Sequence, residues 1–106
     1  MKIIFIGDIV GKPGREAVAK NISTLKEKYK PDVIIANAEN AASGYGLTKK
    51  IALELFALEI DLITLGNHAW DQKEMLSFIE ERPNIIRAIN FPKGVPGRGD
   101  YRLVLH

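Results

Sequence analysis

Four short apolar runs divide this chain of 106 residues at nearly even intervals: IIFIG from Ile3, DVIIANA from Asp32, DLITLG from Asp61 and NIIRAI from Asn84. Between them the apolar residues change period. Val18, Ile22, Leu25 and Tyr29 recur at i, i+4, i+7 and i+11, the stripe of an amphipathic helix. Ile51, Leu55 and Leu58 form a second stripe with Leu47 just before it, and Met75, Phe78 and Ile79 form a third. Continuous apolar runs are expected of strands buried on both faces of a parallel sheet. Strand and helix therefore alternate at roughly 25 to 30 residues, the repeat of right-handed βαβ units. The expected fold class is α/β, a mostly parallel sheet with alternating βαβ units. YRLVL at 101–105, after the loop FPKGVPGRGD, reads as a fifth strand.

Local signals agree with that division. Pro13 suits a first helical turn, where its missing N–H costs nothing, and Pro31 ends the first stripe. Thr48 is placed to cap the second helix. Asp71, with Glu74 three residues on, reads as a capping box for the third.

Composition narrows the function classes. Hydrophobic residues at 46% and charged residues at 26% are ordinary for a soluble globular protein. The length suits a single domain over 1–106. A net charge of +2 is too weak to argue for nucleic acid or an anionic membrane. With no cysteine there is no disulfide and no thiolate metal site, so any metal must use oxygen and imidazole ligands. The opening apolar run is too short for a signal peptide, and no window approaches the ~18 apolar residues of a membrane span. A soluble, cytoplasmic protein without a membrane partner is the expectation.

Open parallel sheets bind ligands at the carboxyl ends of their strands. Asp8 follows the first strand, Glu39 and Asn40 the second, Asn67 and His68 the third, and Asn90 the fourth. Four successive strands thus deliver a carboxylate, an amide or an imidazole to one edge. Each has a plainer reading as a turn former, a cap or a structural histidine, and the coincidence of all four weighs against those readings. The glycines of GDIVGKPGR suggest a phosphate cradle instead, but Gly7 and Gly11 enclose three residues, whereas a P-loop needs four. Pro13 also removes a donor and supplies no hydroxyl. The spacing of Gly7, Gly11 and Gly14 fails the dinucleotide fingerprint as well. A metal site fits better, because Mn²⁺, Fe²⁺ and Mg²⁺ take carboxylate, amide and imidazole ligands. Glu39, between Asp8 and Asn67 in strand order, can bridge two ions ~3.5–4 Å apart, the spacing that activates water against a phosphoester. His68 would then protonate the leaving oxygen.

GNH at 66–68, behind an apolar strand, resembles the central motif of calcineurin-like metallophosphoesterases. More closely, IGDIVGKPGR, NAENAASGYGLT, LGNHAWD and INFPKGVPGRG resemble the N-terminal part of YmdB-like bacterial phosphodiesterases. The resemblance implies half of a metallophosphoesterase-type α/β sandwich. It implies that Asp8 and Glu39 ligate one metal, that Glu39 bridges to a second held also by Asn40 and Asn67, and that His68 is the proton donor. It further implies a dinuclear centre of iron, with manganese or magnesium as alternatives. The substrates implied are small-molecule phosphodiesters such as cyclic nucleotides, with RNA as a further partner. The D-x-H opening of the wider superfamily is absent, since Ile9 and Val10 follow Asp8. Family members run to well over twice this length and bring further histidines, whereas this chain has only His68 and His106. The resemblance therefore implies the N-terminal portion of a longer domain: a shortened form, a proteolytic fragment or the product of a split gene. Such a piece should bind metal weakly, have little or no activity and expose apolar surface that favours a homo-oligomer.

Two other classes remain at this point. A non-catalytic nucleotide- or phosphate-binding module would use the same strand ends without a transition metal. A scaffold would carry them as vestiges. Lys12 and Arg15 are placed to help an anionic substrate, and Trp70 reads as core or loop packing rather than a stacking platform.

Overall fold

The computed structural model describes residues 1–43, 46–66 and 68–105. Strand and helix alternate along them: β1 (Ile3–Ile6), α1 (Gly11–Tyr29), β2 (Val33–Asn37), α2 (Lys49–Ala57), β3 (Leu62–Thr64), α3 (Met75–Glu81) and β4 (Ile85–Ile86). The strands form one sheet in the order β1-β2-β3-β4, every neighbouring pair parallel. This is the expected α/β class with βαβ connections.

The helices begin and end for local reasons. α1 starts at Gly11, so Pro13 is its third residue and still lies in the turn whose N–H groups lack intrahelical partners. It stops at Lys30, which turns left-handed (φ 46°) and donates its N–H to Lys26 O, just before Pro31. Thr48 caps α2 as its position suggests, Oγ1 accepting from Ile51 N at 3.2 Å.

The capping box expected at Asp71 and Glu74 does not form. α3 begins at Met75, and its N-cap, Glu74, makes no side-chain cap bond. Both carboxylates are engaged elsewhere: Glu74 Oε1 accepts from Lys49 N at the start of α2, and Asp71 Oδ2 contacts the His68 ring.

Register divides the sheet into two unlike faces. Ile4 pairs with Ile34, Ile6 with Ala36, Ala36 with Ile63, and Ile63 with Ile85, so these side chains share one face. All of them belong to, or pack against, the core that also holds Ile22, Ile51, Leu55, Phe78 and Ile79 from the helices. A monotonic strand order with right-handed crossovers places α1, α2 and α3 on that same side. The other face carries Ile3, Phe5, Ile35 and Leu62, none of which joins the core cluster. The expectation that the strands are buried on both faces therefore fails at β1, where Ile3 is 52% and Phe5 60% exposed. No helix crosses behind them, and β1 is an edge strand.

Two further differences lie at the carboxyl end of the chain. Residues 101–105 form no strand and are exposed. The sheet is instead extended by a single bridge between Ile86 and Arg98, with Arg87 N donating to Arg98 O at 2.8 Å. Trp70 packs edge-on against Phe91, ring centroids 5.9 Å apart, in keeping with its reading as loop packing. Among the described residues no helix is long and apolar enough to cross a membrane.

Candidate active site

The loops that leave β1 and β2 are stitched together by their backbones. Ile9 N donates to Asn37 O and Gly11 N to Asn40 O, both at 3.1 Å. This brings Asp8 beside Asn40, whose Nδ2 donates to Asp8 Oδ1 at 2.8 Å. Asp8 has φ 23°, a conformation L-residues seldom adopt and one that aspartate tolerates better than most. Strain of this kind persists where surrounding bonds over-determine the backbone, and it clusters at functional sites.

Glu39 reaches in the other direction, towards the end of β3. Its carboxylate accepts from His68 N at 3.4 Å and from Asn37 Nδ2 at 3.5 Å, both long contacts. It lies directly against Gly66, where an added Cβ would stand 2.6 Å from Oε1. Only glycine leaves that space. Asn37, at the foot of the same loop, shares its amide N–H with Thr64 Oγ1 at 3.3 Å, while its Oδ1 is buried with no donor among the described residues.

Three of the four expected strand ends therefore converge. Asp8 meets Asn40, and Glu39 meets the backbone that carries His68. Asn67, expected as a ligand, lies outside the described residues. Asn90 stands apart: it is exposed, four residues beyond β4, and lines a cavity of about 390 Å³ with Ala88, Phe91 and Pro92. Arg15 Nη1 donates to Ala41 O at 2.6 Å, which ties α1 to the β2 loop and leaves its other N–H groups for a further partner. Lys12 faces Glu16 at 3.8 Å with both side chains largely in water.

Sequence reasoning missed Asp71. Its Oδ2 lies 2.8 Å from His68 Nδ1, within a turn closed by Asp71 N donating to His68 O at 3.2 Å. The i, i+3 spacing of a histidine and an aspartate was the available signal, and the helix-start reading of Asp71 obscured it.

The donors at this edge are hard oxygens plus one imidazole, the kind a divalent cation such as Mn²⁺, Fe²⁺ or Mg²⁺ accepts. They suffice in kind rather than in number. Among the described residues no three histidine, aspartate or glutamate side chains converge as a metal site. Asp8, Glu39 and Asn40 fit one wall of such a site.

A parallel α/β sheet with carboxylates and a histidine at its strand ends defines a class of proteins that act on ligands at that edge. Within this class the chain belongs to the YmdB-like protein family, whose sequence profile matches residues 4–105. A 2′,3′-cyclic-nucleotide 2′-phosphodiesterase of Bacillus subtilis (strain 168) is 54% identical over 99 residues, covering 93% of this chain and 38% of the relative. The crystal structure of a hypothetical protein from Thermus thermophilus superposes with a TM-score of 0.89 at 41% identity, covering 98% of this chain and 40% of the other. That of a novel phosphatase from Mycoplasma pneumoniae superposes with a TM-score of 0.83 at 36% identity, covering 93% of this chain and 37% of the other. The chain thus spans about two-fifths of the length of the proteins it matches.

Proposed function

We propose that this chain supplies one wall of a metal-dependent phosphodiesterase centre, with Asp8, Glu39, Asn40 and Asn67 as ligands and His68 as proton donor. The observation that carries the reading is the meeting of strand ends. Asp8 and Asn40 are hydrogen-bonded at 2.8 Å, and Glu39 lies between them and the β3 turn that holds His68. The substrates would be cyclic nucleotides or related small phosphodiesters, the class named for the Bacillus subtilis relative, with RNA as a larger substrate of the same chemistry. Such substrates suit a cytoplasmic protein.

A pair of bound cations, iron or else manganese or magnesium, would neutralise phosphoryl charge and supply an activated water. Glu39 would be the ligand shared by both ions, a role supported by the reach of its carboxylate from the β2 loop to Gly66 and the His68 N–H. The Asp8 turn fixes the first carboxylate. His68 would give its proton to the leaving oxygen as the P–O bond breaks. A two-ion centre needs more ligands than these residues provide, so the 106-residue chain binds metal weakly and turns over slowly. The uncovered face with Ile3 and Phe5 favours a homo-oligomer.

The test is incubation with Mn²⁺ or Fe²⁺ and either bis-p-nitrophenyl phosphate or a 2′,3′-cyclic nucleotide. Slow, metal-dependent hydrolysis lost in Glu39→Gln and His68→Ala is the expected result. Hydrolysis unchanged in both variants contradicts the phosphodiesterase reading. Robust turnover abolished by His68→Ala contradicts the need for further ligands.

A further inference from the structure

Among the described residues His68 is the one imidazole at the strand-end edge, and a proton donor is useful only if the correct ring nitrogen faces the substrate. Asp71 bears on that directly. Its Oδ2 lies 2.8 Å from Nδ1, so the ring has a fixed partner on the side away from Nε2. A carboxylate can only accept, so Nδ1 must carry a hydrogen for the bond to form.

The pair is held from outside as well. Asp71 N donates to His68 O at 3.2 Å, which fixes the turn between the two residues. Gly46 abuts the same turn: a Cβ there would stand 2.9 Å from His68 O and 3.0 Å from Asp71 Cβ, and its φ of +81° favours glycine. Asp71 also lacks the structural duty its sequence position suggests. α3 starts four residues later at Met75, with Glu74 as N-cap.

We propose that Asp71 is a positioning residue for His68, holding the ring by Nδ1 so that Nε2 is the nitrogen presented to the leaving group. The role rests on the phosphodiesterase reading of His68. In that step the water oxygen bonds to phosphorus as the P–O bond breaks, the imidazolium passes its Nε2 proton to the leaving oxygen, and the proton shed by the water goes to solvent, leaving a phosphomonoester and an alcohol. The ring is left neutral with hydrogen on Nδ1, where Asp71 still accepts it. Asp71 Oδ2 is the acceptor that faces Nδ1 and favours that tautomer.

The test needs no turnover. Long-range ¹H–¹⁵N correlation spectra of the ¹⁵N-labelled chain report which ring nitrogen carries hydrogen in the neutral imidazole. His68 and His106 are the only two histidines, so a His106→Gln variant assigns the signals. The expected result is a predominantly Nδ1–H ring at His68 that inverts to predominantly Nε2–H in Asp71→Ala. Asp71→Leu keeps side-chain bulk but offers no acceptor, so it should invert the ring too. Unchanged amide shifts over 75–81 establish that α3 is intact, and Asp71→Leu decides the matter if the alanine variant fails to fold. An Nε2–H ring in the original chain, or the same tautomer in the variants, overturns the proposal. Because the tautomer is read without substrate, the His68–Asp71 result stands or falls independently of any turnover, and the phosphodiesterase reading fails separately if hydrolysis is unchanged in Glu39→Gln and His68→Ala.

Discussion

Replacing Gly66 with alanine should separate stability from metal binding. The added Cβ would lie 2.6 Å from Glu39 Oε1 and 2.7 Å from its Cδ. Carbon atoms settle at about 3.5–4.0 Å, so the carboxylate must retreat by about 1 Å. The atoms in the way are the far end of a flexible side chain, and the backbone of Gly66 is outside the left-handed region. Loss of chain freedom in the unfolded state contributes about 0.4–1 kcal/mol of stability at such a position. Against this stand Glu39's two long hydrogen bonds, at 3.4 and 3.5 Å. Each is worth less than about 1 kcal/mol. The net change should stay within about 1 kcal/mol, a shift in Tm of less than roughly 8 °C for a chain of this size. Displacing a ligand or its support costs about 10–100-fold in metal affinity. Gly7→Ala is the control, since a Cβ there meets nothing within 4 Å. Thermal unfolding followed by circular dichroism and Mn²⁺ titration by calorimetry are the assays. Undiminished Mn²⁺ affinity in Gly66→Ala would refute the placing of Glu39, and so would equal loss in the Gly7→Ala control.

The other predictions concern the scaffold. Thr48→Ala removes the oxygen that accepts from Ile51 N and should cost about 1 kcal/mol, seen as a Tm lowered by roughly 4–8 °C. Ile63, fully buried on β3 between Ala36 and Ile85, should cost about 2–5 kcal/mol as alanine and lower the urea midpoint accordingly. Phe5→Glu alters an exposed side chain on the uncovered face, so stability should change by no more than about 0.5 kcal/mol. Sedimentation of the same variant should show less self-association than the original chain, and equal association would remove that face from the contact.

Much of the architecture was legible because burial on the helical face imposes a period. Ile34, Ala36, Ile63 and Ile85 are apolar for the same reason that Ile22, Leu55 and Ile79 recur as helical stripes. What stayed hidden was which strands have a second cover. Ile3 and Phe5 continue the apolar run of β1 although no helix packs on them, and a run of isoleucines reads alike in both cases. The fifth strand failed on similar grounds: YRLVL has the composition of a strand, but the chain meets the sheet earlier, at Arg98. At the candidate site the residue types and their strand-end places were legible, since topology alone brings them to one edge. Partnerships were not. Asp71 has the spacing of a cap and is engaged by His68, while Arg15, early in α1, also reaches across to the carbonyl of Ala41. Local spacing cannot tell a cap from a tertiary contact when both use the same carboxylate.

The central claim is that Asp8, Glu39 and Asn40 form one wall of a cation site. Stepwise addition of Mn²⁺ to the ¹⁵N-labelled chain tests it most directly, because the paramagnetic ion broadens the amide signals nearest to it. The account predicts broadening first at residues 7–9, 39–40 and 66–68, weakened in Glu39→Gln. Broadening led instead by exposed carboxylates such as Glu16, Glu54 or Glu81, and unaltered by Glu39→Gln, would contradict it.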